Sequence, residues 1–177
     1  MLAEEFCNPL QHDAIDTNAF DGLLIPGGHC ARGMRPFLES ATLQAKVAAF
    51  FDANKPVAAV CHGVLLAARS RSPVTGRSVL HGRKTTALPW NMESSAWSLT
   101  KFTASDPNYY RTYVEAPNEP AGFMSVQAEV TRALAAPTGF RVCSFAFVYI
   151  YERFIYILCS TRFSSRVEFL CDEWIVS

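Results

Sequence analysis

The chain has 177 residues, half of them hydrophobic and 18% charged, and its 16 basic residues balance 16 acidic ones. That length suits one domain with a sizeable core, and the balance excludes a disordered chain. Zero net charge argues against a general attraction to nucleic acid or acidic membranes; the nearest basic cluster, Arg69, Arg71, Arg77, Arg83 and Lys84, is sparse, lacks interleaved aromatics and reads as solvated surface.

The start, Met-Leu-Ala-Glu-Glu-Phe, is acidic and has no apolar run, so it does not read as a secretory signal. The six cysteines, Cys7, Cys30, Cys61, Cys143, Cys159 and Cys171, show no metal-ligand spacing. Free thiols in a reducing, cytoplasmic compartment are expected, with no metal and no cofactor. Ala19 to Ile25 is an apolar run stopped by Pro26-Gly27-Gly28, which predicts a buried strand ending in a turn. Ser40 or Thr42 can cap a helix that runs to about Ala53, with Leu43, Val47, Phe50 and Phe51 at helical spacing. Asn54-Lys55-Pro56 ends it. Val57 to Val60 reads as a second buried strand and Gly63 to Arg69 as a helix. Short strands are expected at Ser78–Leu80 and Lys84–Leu88, and a helix at Trp90–Trp97. Ser125 can cap a helix to Ala136, with Val126, Val130 and Leu134 on one face and Pro137 closing it. Alternating strands and helices predict an α/β fold with a parallel, doubly wound sheet.

The composition breaks at Gly139: all nine glycines and all ten prolines lie at or before it. Residues 140–177 form an aromatic-rich tail, and Val142 to Leu158 is an apolar run interrupted by Glu152 and Arg153. Two adjacent charges would cost about 5 kcal/mol or more inside a bilayer, so buried strands are preferred to a membrane span. The break also fits an alternative C-terminus joined to the core. The organisation expected is an extension over residues 1–18, an α/β core over 19–139 and a divergent tail over 140–177.

The chemistry is expected where the second strand meets the next helix. The spacing Ala59-x-Cys61-x-Gly63 matches the small-x-nucleophile-x-small pattern of an elbow, where a sharp turn brings strand and helix backbones close. A thiol there lies at a helix N-terminus, whose dipole and free N–H groups favour thiolate and can hold an oxyanion. Desolvation would act in the opposite sense, and a plain core cysteine is the structural alternative. His62 follows at once; it can fold back as a general acid or base, or sit on the surface at the start of the helix. Gly27 and Gly28 end the preceding strand and would face the same crevice, where ligands of open parallel sheets bind; a simple turn is the alternative. His29 and Arg32 follow in that loop and can line the pocket or be solvated. Glu39, Glu93 and Glu115 are candidates to orient His62.

These residues resemble the ThiJ/PfpI family of the class I glutamine-amidotransferase-like superfamily. The carriers are Phe20-Asp-Gly-Leu-Leu-Ile-Pro-Gly-Gly-His29, Lys55-Pro-Val-Ala-Ala-Val-Cys-His-Gly-Val64 and Gly82-Arg-Lys-Thr-Thr-Ala-Leu-Pro89. The resemblance implies a flavodoxin-like three-layer sandwich, incomplete here, with Cys61 as nucleophile and His62 beside it. The resemblance implies an oxyanion hole of Gly28 with the Cys61 and His62 amides, and Gly27, His29 and Gly63 complete the candidate oxyanion- and substrate-binding residues. It implies a hydrolase or glyoxalase-type enzyme acting on a small carbonyl substrate, of a family with stress-linked activities. The alternatives are a non-catalytic redox-sensing or chaperone-like member and an inactive truncated isoform. Adjacency of Cys61 and His62 argues against glutamine hydrolysis. Relatives dimerise near the elbow, so a homodimer is the partner to expect, with no nucleic acid and no membrane. Relatives also carry an N-terminal glutamate beside the cysteine; Glu4 and Glu5 sit in no context that would replace it.

Overall fold

A computed structural model describes residues 7–28, 31–103, 105–111, 114–142 and 147–150. Strand β1, Leu23–Ile25, is shorter than the apolar run that predicts it, and leads through Pro26-Gly27-Gly28 to helix α1, Ala31–Leu38. Helix α2 spans Ala41–Asp52 and is capped by Ser40, whose Oγ accepts the Leu43 N–H at 3.3 Å. Of the two residues able to cap it, Ser40 does so because it keeps extended backbone, while Thr42 is already helical. Strand β2, Val57–Val60, and helix α3, Gly63–Arg69, follow at the bounds expected from sequence. Helix α4 spans Trp90–Thr100, and helix α5 spans Val126–Ala133. The Ser125 hydroxyl caps α5 by accepting the Ala128 N–H at 3.1 Å. This helix ends earlier than expected: Leu134 turns extended as its C-cap and buries its side chain.

The sheet order is β1-β2-β3, where β3 is Phe147–Ile150. β1 and β2 are parallel, with Leu23 opposite Val57 and Ile25 opposite Ala59. β3 lies antiparallel on the other side of β2, with Val57 opposite Ile150 and Val60 opposite Phe147. The sheet is therefore mixed rather than wholly parallel, because its third strand comes from the apolar run of the tail instead of from a strand–helix–strand crossover. Within that run, residues 143–146 and 151–158 lie outside the described residues.

Two predicted strands are corrected. Ser78–Leu80 and Lys84–Leu88 each make one isolated bridge, Arg71 with Ser78 and Thr85 with Phe140. Residues 85–89 are buried, but Thr85 finds its backbone partners only at Gly139 and Arg141, too short a run to form a ladder.

Helix α3 is the centre of the core. Gly63 to Ala68 are all buried, and the helix packs on α1, α2, α5 and β2. Ile25, Val57 and Ala59 of the sheet meet Leu65, Leu66, Phe50 and Val130 in one cluster. Enclosing a seven-residue helix on every side fixes the position of its first turn, and with it the elbow.

Candidate active site

Between β2 and α3 the backbone reverses within two residues. Cys61 takes φ 53°, in the left-handed region that non-glycine side chains avoid, and His62 returns to helical backbone at φ −67°. Such strain persists only where the surroundings impose it. The contacts that impose it come from the loop after β1. A Cβ on Gly27 would lie 2.9 Å from the Cys61 Cβ and 2.9 Å from the Val60 carbonyl oxygen. A Cβ on Gly63 would lie 2.5 Å from the Pro26 carbonyl oxygen. Both glycines are thus required by close backbone approach. Gly28 stands further along, where an added Cβ would meet the Met34 sulfur at 3.3 Å.

The Cys61 Sγ is half-buried and lies 3.3 Å from Nδ1 of His62. His62 itself is fully buried, which removes the surface alternative for this residue. Burial pushes the Cys61 thiol above its ordinary value, the His62 backbone N–H opposes that, and the charge of Glu93 adds to it. Here desolvation outweighs the helix N-terminus, so the free thiol is the favoured resting form.

The three acidic candidates separate cleanly. Glu39 is half-exposed and pairs with Arg35 at 2.9 Å. Glu115 pairs with Arg111 and accepts the Gly122 N–H at 2.8 Å. Burial would raise the Glu115 carboxyl, but those hydrogen bonds hold it below the usual carboxylate range. Glu93 is fully buried on α4. Its Oε2 accepts the Val126 N–H at 3.0 Å, and its Oε1 lies 3.9 Å from Arg111 Nε. Burial raises the Glu93 carboxyl to about 7 against the pull of Val126 and Arg111, and the Glu115 charge adds to the rise. Of the three, Glu93 is the carboxylate whose charge is felt at Cys61.

A family model described as ThiJ/PfpI family-like matches residues 1–124. The chain belongs to the ThiJ/PfpI family. It is 33% identical over 82 residues to Deglycase PH1704 of Pyrococcus horikoshii, covering 45% of this chain and 42% of that protein. It is 35% identical over 75 residues to Protein DJ-1 homolog D of Arabidopsis thaliana, covering 42% of this chain and 17% of that protein. The matches span less than half the length of these curated relatives. No solved structure matches significantly.

Within this ThiJ/PfpI chain the structure brings Cys61, His62, Gly27 and Gly63 into one elbow. Gly28 is set beside α1, and His29 lies outside the described residues. Arg111 is the residue that the sequence reading missed. Its side chain is 1% exposed, with its guanidinium carbon 4.9 Å from the Trp90 ring centre and 4.8 Å from that of Trp97. Trp90 and Trp97 are seven residues apart on one helix face, a spacing that marks a stripe but not what fills it. Among the described residues no helix is long and apolar enough to cross a membrane, and no three metal-ligating side chains converge.

Proposed function

We propose that this chain is a cysteine-dependent enzyme of the hydrolase or glyoxalase type, acting on a small carbonyl compound through Cys61. The observation that carries the reading is the strained elbow: Cys61 at φ 53° with its sulfur 3.3 Å from the His62 ring. In the first step the Cys61 sulfur attacks the carbonyl carbon and a C–S bond forms. The carbonyl π pair moves to oxygen, and the thiol proton passes to Nδ1 of His62. His62 returns that proton to the oxyanion, giving a thiohemiacetal in which atoms and charge balance. Backbone N–H groups of Gly27, Gly28 and Gly63 are the proposed donors to the developing oxyanion, with His29 in the substrate loop. A thiol held above its ordinary value suits a base-assisted attack, since the proton leaves only as the new bond forms.

The same burial tells against redox sensing as the main role, because sensor thiols are exposed and of low pKa. The deglycase named among the relatives supports a carbonyl-bearing substrate class. A cytoplasmic site of action and a homodimeric assembly complete the proposal. The test is turnover of a small 2-oxoaldehyde, methylglyoxal, to the hydroxy acid by the purified chain. Loss of turnover in Cys61→Ser, with cooperative unfolding retained, supports the reading. No turnover by a cooperatively folded parent chain whose Cys61 is fully reduced overturns it.

A further inference from the structure

The arginines that look scattered in sequence converge on one groove at the far end of α3 from the thiol. This groove, of about 520 Å³, is lined by Arg69, Arg71, Arg77, His81 and Arg132, with Glu129 its one carboxylate. Arg69 comes from the last turn of α3, Arg71, Arg77 and His81 from the turns that follow, and Arg132 from α5. Arg69 takes both oxygens of Glu129, at 2.6 and 3.2 Å, so the acidic charge is already used. Arg71, Arg77 and Arg132 meet no carboxylate among the described residues.

Two of those three are held in place by other contacts. Arg71 donates Nη1 to the Gly76 carbonyl at 2.9 Å, and the Arg132 guanidinium stacks 4.5 Å from the Phe123 ring centre. A second hollow of about 460 Å³ shares Arg77, Ser78 and His81 and adds Arg83, with Asp52 as its one carboxylate, which accepts the Ser72 hydroxyl at 2.9 Å. The positive trough therefore continues past a single anion's width, and hydroxyls of Ser78 and Thr75 lie along it. Guanidinium groups match phosphate oxygens in bidentate geometry, and a hollow of this volume suits a small molecule.

We propose that this trough binds a small organic phosphate carrying two or more phosphoryl groups, such as a nucleoside diphosphate. Guanidiniums from two segments, the turns after α3 and helix α5, that meet no carboxylate among the described residues suit linked phosphates better than one, because each phosphoryl group can meet a separate arginine. The site is separate from the elbow: the seven residues of α3 place about 10 Å of helix between them.

The test is isothermal titration of the full chain with ADP and with inorganic pyrophosphate at physiological salt. One saturable site for both is expected, with orthophosphate weaker. Arg77→Gln and Arg132→Gln, both at exposed positions, should each weaken ADP binding by about tenfold or more. Lys101→Gln, a charge removed outside the trough, should leave binding unchanged, and circular dichroism checks that each variant is folded. Failure to saturate at millimolar ADP and pyrophosphate overturns the proposal. So does equal affinity in the folded arginine variants, or tighter binding of a single-stranded oligonucleotide than of ADP. None of these outcomes bears on turnover at Cys61, so this site and the catalytic reading fail independently.

Discussion

Cys61 and His62 are neighbours in sequence, and their side chains still meet, Sγ to Nδ1 at 3.3 Å. Adjacent residues on a strand point to opposite faces, and on a helix they diverge by about 100°. The contact exists because Cys61 leaves the strand in left-handed backbone while His62 already starts the helix, which swings both side chains to one side of the turn. A thiol and a base are thereby held together by backbone geometry.

Removing the base should therefore act on chemistry more than on binding. His62→Ala is expected to lower kcat for a 2-oxoaldehyde by about 10²–10⁴-fold with a smaller change in KM. Steady-state kinetics check this, and a purely KM effect would show that His62 only shapes the pocket.

Glu93 should tune the thiol from α4. Its charge adds to the rise in the Cys61 thiol, so Glu93→Gln should move the pH midpoint of Cys61 alkylation downwards. The measurement is the iodoacetamide rate against pH in both proteins. Coincident profiles would show that Glu93 does not act on the thiol.

The same substitution has a stability signature of defined sign. The Glu93 carboxyl is raised from 4.5 to about 7, so the folded state holds this proton more tightly than the unfolded one. The stabilisation is present in full below pH 4.5 and is lost as pH rises through about 7. Glu93→Gln removes that dependence. Relative to the parent, it should gain on the order of 1–3 kcal/mol between pH 5 and pH 8. Urea melts at several pH values read it, and a constant difference across that range would contradict it.

Backbone strain at the elbow should be recoverable. Cys61 sits at φ 53°, which costs a non-glycine residue about 1 kcal/mol or more. Cys61→Gly should then be about 1 kcal/mol more stable than Cys61→Ala, although glycine ordinarily lowers stability. Denaturant midpoints of the two variants decide it; the ordinary order, alanine above glycine, would mean that the turn is not strained.

Gly63→Ala should fail for the opposite reason. The new Cβ would lie 2.5 Å from the Pro26 carbonyl oxygen and 2.9 Å from that of Ile25, both backbone atoms that cannot rotate away. A loss of about 2–4 kcal/mol is expected, measured by thermal or urea unfolding. Near-native stability would show that the loop after β1 is free to move off the elbow.

What the sequence alone determined was local. Val57–Val60, the Cys61-His62-Gly63 turn and Gly63–Arg69 were legible because β-branched and small residues, a glycine and a continuous apolar run all act within a few positions. The caps Ser40 and Ser125 were legible for the same reason. Helix α1 was not, since Gly33 and Pro36 both argue against a helix. Nor were the single bridges at Ser78 and Thr85, whose backbone partners depend on how distant turns pack.

The tertiary structure alone decided the electrostatics. Glu39, Glu93 and Glu115 are the same kind of acid in sequence, and only their surroundings leave one in an exposed pair with Arg35, bury the second and hold the third low beside Arg111. The rise of the Cys61 thiol, the place of Arg111 between Trp90 and Trp97, and the convergence of Arg77 and Arg132 are likewise sums over residues far apart in the chain. Desolvation and Coulomb energy depend on distance in space, which no sequence spacing records.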